Sequence, residues 1–502
     1  MYRKISATMA SQHPDHAHKP YWHTEAFIST RSETEECFRA FSELGIDEYK
    51  WDWEGKFVDE GVIERLYSDH FDYFKSQQLG IDKFVTFRLP NPKGETEVRL
   101  GRAFMGILSA AVLAEKIGMH SPPLFEVILP MTETAEELIY IQEAFAEIAA
   151  LKHKLYMFHE TSLKEIEMIP LFEDVDTIMN SHIILEKYLI LRKKKFKTTP
   201  SLLRPYIARS DPALNSGLVP TVLATKIALS HYAEFEKEHT LPLFPILGTA
   251  SLPFRGGLSP FTVTDFVNEY KGIRTALIQS AFRYDYKKAY VIKAISQLKE
   301  LLPKTTAVSI SSQDEIEIRK IIPVFEKYYR STIEQIAPTI NKLAEHLPKR
   351  RERVQHTGLF GYSRGVGTVK LPRAIGFTAA LYSLGVPPEF IGTGRGLAGI
   401  KGKEKLIEQY FVNIKKDLIQ AGKFLNKDVL KSLSKQSSFW NDILEDVNIL
   451  ETYFNYEFNP ETEAEKEHHK KVQEIYTSLQ KNDADSLKNH IEHAAFLRKS
   501  LG

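Results

Sequence analysis

The chain has 502 residues, 43% hydrophobic and 26% charged, the balance of a globular protein rather than a disordered or fibrous one. Its 66 basic residues nearly cancel its 65 acidic ones, which gives a nucleic-acid partner little electrostatic support. A single cysteine, Cys37, excludes an internal disulfide, and the longest apolar stretch, Phe104 to Ala114, is too short to span a bilayer. The opening Met1-Tyr2-Arg3-Lys4-Ile5 carries no apolar signal core, so the expectation is a soluble cytoplasmic protein with no membrane association.

From about residue 45 to 285, short apolar runs alternate with longer helical patterns. The runs are Asp47–Trp53, Phe84–Pro90, Leu124–Met131, Glu165–Phe172, Leu203–Ser210, Leu241–Gly248 and Ile273–Ala281. Several are apolar without strict alternation, as in strands of a parallel sheet covered on both faces. Between them lie amphipathic segments such as Thr134–Lys152, which opens with a Thr cap and early acids. Seven such units predict an α/β fold, a (β/α)8 TIM-type barrel, with the eighth strand placed at Glu389–Gly392. Residues 286–355 and 400–502 read as additional long α-helices. The expectation is one domain over 1–502, with a barrel core at about 45–400 and a helical C-terminal region at 400–502. The glycine-rich stretch at 392–396 reads as a lid or a turn, and His468-His469, in a charged helical run, as surface.

In such a barrel the chemistry sits at the carboxyl ends of the strands. Arg88, Glu173, Asp211, Arg255 and Arg283 all fall there. Two carboxylates on neighbouring strands, Glu173 and Asp211, suit Mg²⁺ or Mn²⁺, hard ions that take oxygen ligands. The arginines suit phosphate or carboxylate, because a guanidinium donates in a planar fork. Each residue alone also has an ordinary reading: Asp211-Pro212 would make a good helix N-terminus. The joint pattern points to a metal-assisted enzyme acting on a phosphorylated or carboxylated small molecule. Near the start, His13, His16 and His18 crowd six residues, but their spacing matches no strong zinc pattern and no thiol accompanies them. A polar turn or a single catalytic histidine remains. Ser363-Arg364-Gly365-Val366-Gly367 offers a weaker phosphate-loop candidate.

At these residues the sequence resembles phosphoenolpyruvate carboxylase of the archaeal type, about half the length of the plant and bacterial form. Ser11-Gln12-His13-Pro14-Asp15 is similar to its Thr-Gln-His-Pro-Asp motif. Trp51–Lys56, Arg88–Pro92, Ala208–Gly217 and Ser251–Pro260 also look like branch motifs, and the likeness spans essentially the whole chain. Pro170-Leu171-Phe172-Glu173 and Ser210-Asp211 are similar to the long form's metal-binding Pro-Leu-Phe-Glu and Ser-Asp. Phe254-Arg255-Gly256-Gly257 resembles part of its arginine- and glycine-rich loop, and Ser363-Arg364 its Gly-Ser-Arg-Pro.

The resemblance implies that phosphoenolpyruvate and bicarbonate give oxaloacetate and phosphate by way of carboxyphosphate and an enolate. His13, Arg88 and Arg255 would be catalytic. Arg88, Arg255, Arg283 and Arg364 would bind substrate, while Glu173 and Asp211 would hold Mg²⁺ or Mn²⁺. A homotetramer is also implied. The long form's lysine after Ser-Asp is absent, Leu214-Asn215 standing in that region, and one Arg-Gly-Gly unit replaces two. Two other readings stay open on the residues alone: a lyase or aldolase of similar metal logic, and a non-catalytic scaffold.

Overall fold

The structure, a computed structural model, describes residues 3–53, 61–152, 158, 161–352, 365–366 and 369–502. Seven of the eight barrel strands fall inside the predicted runs: β2 (Glu48–Asp52), β3 (Phe84–Arg88), β4 (Glu126–Leu129), β5 (Glu167–Phe172), β6 (Tyr206–Ile207), β7 (Ile246–Leu247) and β8 (Thr275–Ile278). All pair in parallel, each with its sequence neighbour. The strand that closes the barrel is β1, Thr8–Ser11, which pairs Met9 with Glu48 on one side and with Leu277 on the other. The expected eighth strand at Glu389–Gly392 is a buried turn, and the barrel strands run from 8 to 278. Thr8-Met9-Ala10-Ser11 carries neither a β-branched apolar run nor an aromatic, and its pairing comes from filling the gap between two strand edges rather than from propensity.

The outer faces of the strands pack on helices. Tyr49 and Trp51 join the helical core, and Tyr49 Oη donates to Glu36 at 3.0 Å. The inner faces enclose a separate cluster of Met9, Ile128, Ile169, Leu171, Tyr206, Ala208, Ile246 and Leu277. Helix starts follow side-chain chemistry, as predicted at Thr134, whose hydroxyl accepts from Glu137 N, and again at Asp174, which caps Val175–Phe196. The helical region includes Ser312–Ala344 and the paired Glu463–Lys481 and Ala484–Arg498. No described helix is long and apolar enough to cross a membrane.

Two local expectations change. In the 392–396 stretch Gly392 is a turn residue at the N-cap position, and residues 393–396 are the buried start of the helix Thr393–Gly399. A Cβ on Gly394 would stand 2.6 Å from Asp446 Cα, so glycine is needed for that close helix contact. His468 is fully buried, 3.5 Å from Arg498 Nη1, because its side of an otherwise charged helix turns inward.

At the amino end of the barrel, an ion network spans the interior. Arg204 donates to Glu48 from Nη2 at 2.7 Å and to Glu126 from Nη1 at 2.7 Å, and Thr86 Oγ1 donates to Glu48 at 2.5 Å. Burial alone would raise the Glu48 carboxyl, but the Arg204 guanidinium overrides it and holds it below the usual carboxylate range. Removing one partner strands the other charges in a dry interior. Arg204→Ala is therefore expected to cost roughly 3–5 kcal/mol in urea unfolding at neutral pH. Because the Glu48 pKa is depressed on folding, its contribution is complete above about pH 5 and is lost as pH falls through the depressed value. The gap between wild type and variant should narrow in acid; a gap independent of pH would contradict this account.

Candidate active site

The carboxyl ends of the strands carry a ring of charge, placed by the period-two alternation of the strands. On β2, Glu48, Lys50 and Asp52 share one face, with Tyr49 and Trp51 on the other. Asp52 Oδ1 receives Lys50 Nζ at 2.8 Å and Arg88 Nε, from the end of β3, also at 2.8 Å. Gln12 Oε1 accepts from Asp52 N at 3.0 Å, tying this triad to the loop after β1.

His13 lies on that loop, part-buried, with Nδ1 2.8 Å from Ser11 Oγ. Burial and the nearby Lys50 push its pKa well below the ordinary imidazole value; Asp52 works against them, and Arg88 and Arg255 add to the lowering. Its burial and the surrounding cations favour the neutral imidazole. The other histidines turn away: His16 Nε2 meets Ala26 O at 2.7 Å, and His18 Nδ1 meets Asp285 at 3.1 Å.

Arg255 is almost completely buried, at 1% exposed. Its Nε donates to Ser210 Oγ at 3.0 Å, its Nη2 to Gln279 Oε1 at 2.7 Å, and its Nη1 to the carbonyl of Gly502. Asp15 Oδ2 lies 3.8 Å from Nη1. Burial pushes the Asp15 carboxyl up to about 6 against the pull of Arg255. Arg283 is also fully buried, but its Nη2 donates to Ser11 O at 2.6 Å and to Glu36 at 3.0 Å, which anchors the strand end that leads into His13. Arg364 and the end of the Trp51–Lys56 stretch, from Glu54 on, lie outside the described residues.

Glu173 follows β5 and Asp211 lies in the turn after β6, two strands paired through Leu171–Tyr206 and Phe172–Ile207. Glu173 is 7% exposed and accepts from Met131 N at 2.8 Å. Asp211 lies inside the first turn of helix Ser210–Ser216, whose N-cap position is Arg209, so it is not that helix's capping residue. Tyr206, on β6, lies within the electrostatic reach of both acids. Burial pushes its hydroxyl up, and the charges of Arg88, Asp52, Glu173 and Asp211 all act on it. Charged groups from four strand ends thus bear on one side chain of the barrel interior. Among the described residues no three His, Cys, Asp or Glu side chains gather as a metal cage. A two-carboxylate donor set fits a hard divalent ion completed by substrate oxygens and water, not a structural zinc.

Sequence reasoning missed Lys50, Asp52, Asp15 and Gln279. The signal for the first two was present: Glu-Tyr-Lys-Trp-Asp alternates strictly, but such a pattern ordinarily means that the polar face meets bulk water.

The chain matches the family model described as phosphoenolpyruvate carboxylase over residues 5–502. It is 41% identical to the phosphoenolpyruvate carboxylase of Leuconostoc mesenteroides subsp. mesenteroides, over 93% of each chain. The Oenococcus oeni enzyme of that name is 39% identical over 100% of this chain and 99% of its own. That of Metallosphaera sedula, an archaeon, is 37% identical over the whole of both. Similarity that runs the length of the chain, to bacterial and archaeal members alike, places this protein in the archaeal-type phosphoenolpyruvate carboxylase family.

Proposed function

We propose that the barrel mouth carries out the family's reaction with His13, Arg88 and Arg255 acting on the substrates, and with Glu173 and Asp211 holding Mg²⁺ or Mn²⁺. The reaction joins bicarbonate carbon to phosphoenolpyruvate, giving oxaloacetate and inorganic phosphate. The observation that carries this site assignment is geometric: Arg255 Nε donates to Ser210 Oγ, beside Asp211, at 3.0 Å, and Arg88 Nε donates at 2.8 Å to Asp52, whose amide is held by Gln12, beside His13. When bound, the divalent ion would supply Lewis-acid neutralisation of developing oxyanion charge.

The side chains divide the remaining work. Arg88, fixed by Asp52, and Arg255, fixed by Ser210 and Gln279, present guanidinium forks to the phosphoryl group and hold it in line for the bicarbonate oxygen. His13 sets Nδ1 2.8 Å from Ser11 Oγ, and in this reading the tautomer with the proton on Nδ1 leaves the Nε2 lone pair for a proton of the carboxyphosphate or phosphate. That transfer helps release CO₂ beside the enolate. The site must exclude water, because protonation of the enolate would give pyruvate. Arg283 acts in this reading through the strand end before His13, and Arg364 as a further phosphate ligand on the strength of the resemblance.

We read residues 1–502 as one catalytic domain that assembles as a cytoplasmic homotetramer. The helical region, which sends Gly502 into the mouth, supports the single domain. The exposed Tyr140, Ile183 and Ile190, on helices Ala135–Ala149 and Val175–Phe196, are apolar surface that a second copy would cover.

Three outcomes test the site. Arg255→Ala should reduce bicarbonate-dependent oxaloacetate formation by about 1,000-fold or more, since a fixed cation at the transferring phosphoryl group is lost. His13→Asn should still release phosphate while oxaloacetate lags behind; equal yields of the two products would remove His13 from CO₂ coupling. Exhaustive chelation should silence the enzyme and Mg²⁺ or Mn²⁺ restore it, with Glu173→Gln requiring more metal for half-activation. Activity that survives chelation would refute the Glu173–Asp211 assignment.

A further inference from the structure

The helical region also touches the mouth at Glu389, a fully buried side chain in the turn after helix Ala374–Ser383. Its Oε1 accepts from the backbone N of Phe254 at 2.8 Å and from Tyr382 Oη at 2.7 Å. Phe254 is the middle residue of the 3-10 turn Pro253–Arg255, and its ring packs 5.8 Å from that of Phe377 in the same helical region. The rest of the loop is closed on itself, with Arg255 N donating to Leu252 O at 3.0 Å and Ala250 N to Arg255 O at 2.9 Å. Gly256 follows at φ 119°, where a Cβ would stand 3.0 Å from Thr249 Cβ, so the turn has little room to shift along β7.

We infer that Glu389 is a positioning residue for the carboxylation: through the Phe254 amide it fixes the Pro253–Arg255 turn and so sets where the Arg255 guanidinium meets the phosphoryl group. The inference rests on the assignment of Arg255 to the substrate made above. Arg255 has a long side chain on a short loop, and its Ser210 and Gln279 contacts are met only if the turn holds one orientation. A buried amide that lost its acceptor would turn to find another, and the guanidinium would move with it. The required property is an acceptor oxygen at the right reach rather than a negative charge. Burial pushes the Glu389 carboxyl up to about 7, and both its ionised and its protonated forms keep an oxygen for the Phe254 amide.

The test uses Glu389→Ala, Glu389→Asp and Glu389→Gln in the full-length protein, assayed for bicarbonate-dependent oxaloacetate formation with kcat and KM for phosphoenolpyruvate resolved. Glu389→Ala, which has no acceptor, and Glu389→Asp, which keeps the charge but lacks the reach, should each lose about 100-fold in kcat/KM, the scale of an ångström misplacement. Glu389→Gln, which keeps acceptor and reach, should stay within about threefold of wild type. The opposite ranking, with Asp active and Gln inactive, overturns the inference and does so without Glu389→Ala having to fold. In an Arg255→Lys background the Glu389→Asp loss should shrink to less than about tenfold, since residues acting as one unit are not additive. An undiminished loss there overturns the inference. Arg255→Lys with wild-type kinetics would instead overturn the site assignment on which it rests.

Discussion

Burying a guanidinium without water obliges the protein to supply its hydrogen-bond acceptors, and Arg255 recruits them from segments far apart in the chain. Ser210 comes from the turn that holds Asp211, Gln279 from the end of β8, and Gly502 from the last residue of the sequence. Asp15, two residues beyond His13, stands 3.8 Å away. One rigid fork thus couples the positions of the proposed base, one proposed metal ligand and the phosphate-binding loop. The chemistry of the mouth depends on that registration, because anion recognition by arginine is directional.

The same barrel carries charge at both ends of its interior, with an apolar layer between. At the amino end Arg204 donates to both Glu48 and Glu126, and this network serves stability. At the carboxyl end Asp52 takes both Lys50 and Arg88, while burial raises Asp15 and lowers His13. Groups held away from their ordinary protonation behaviour in a cleft are suited to proton and phosphoryl chemistry. The difference is one of partners, since burial is common to both ends.

The helical region is part of the site and not an appendage to it. It supplies Glu389 to the Arg255 turn and Gly502 to Arg255 itself, and Leu501 N donates to Asp15 O at 2.7 Å. Interdependence of this kind means that barrel and helices must fold as one unit for the arginine to find its acceptors.

Seven strands, their order, the Thr134 helix start and the family motifs around His13, Glu173, Asp211 and Arg255 were legible in the amino-acid sequence, because local periodicity and short-range chemistry encode them. The sequence alone determined which residues of each strand share a face. Whether that face looks inward or outward, however, is set only when the sheet closes on itself, and closure here turned Lys50 and Asp52 into the mouth and not toward solvent. Closure likewise decided that Thr8–Ser11, and not Glu389–Gly392, is the eighth strand. It left Glu389 free to act from the helical side, 135 residues away from the amide it holds. Long-range partners of this sort leave no local periodicity, so only the tertiary structure could assign them.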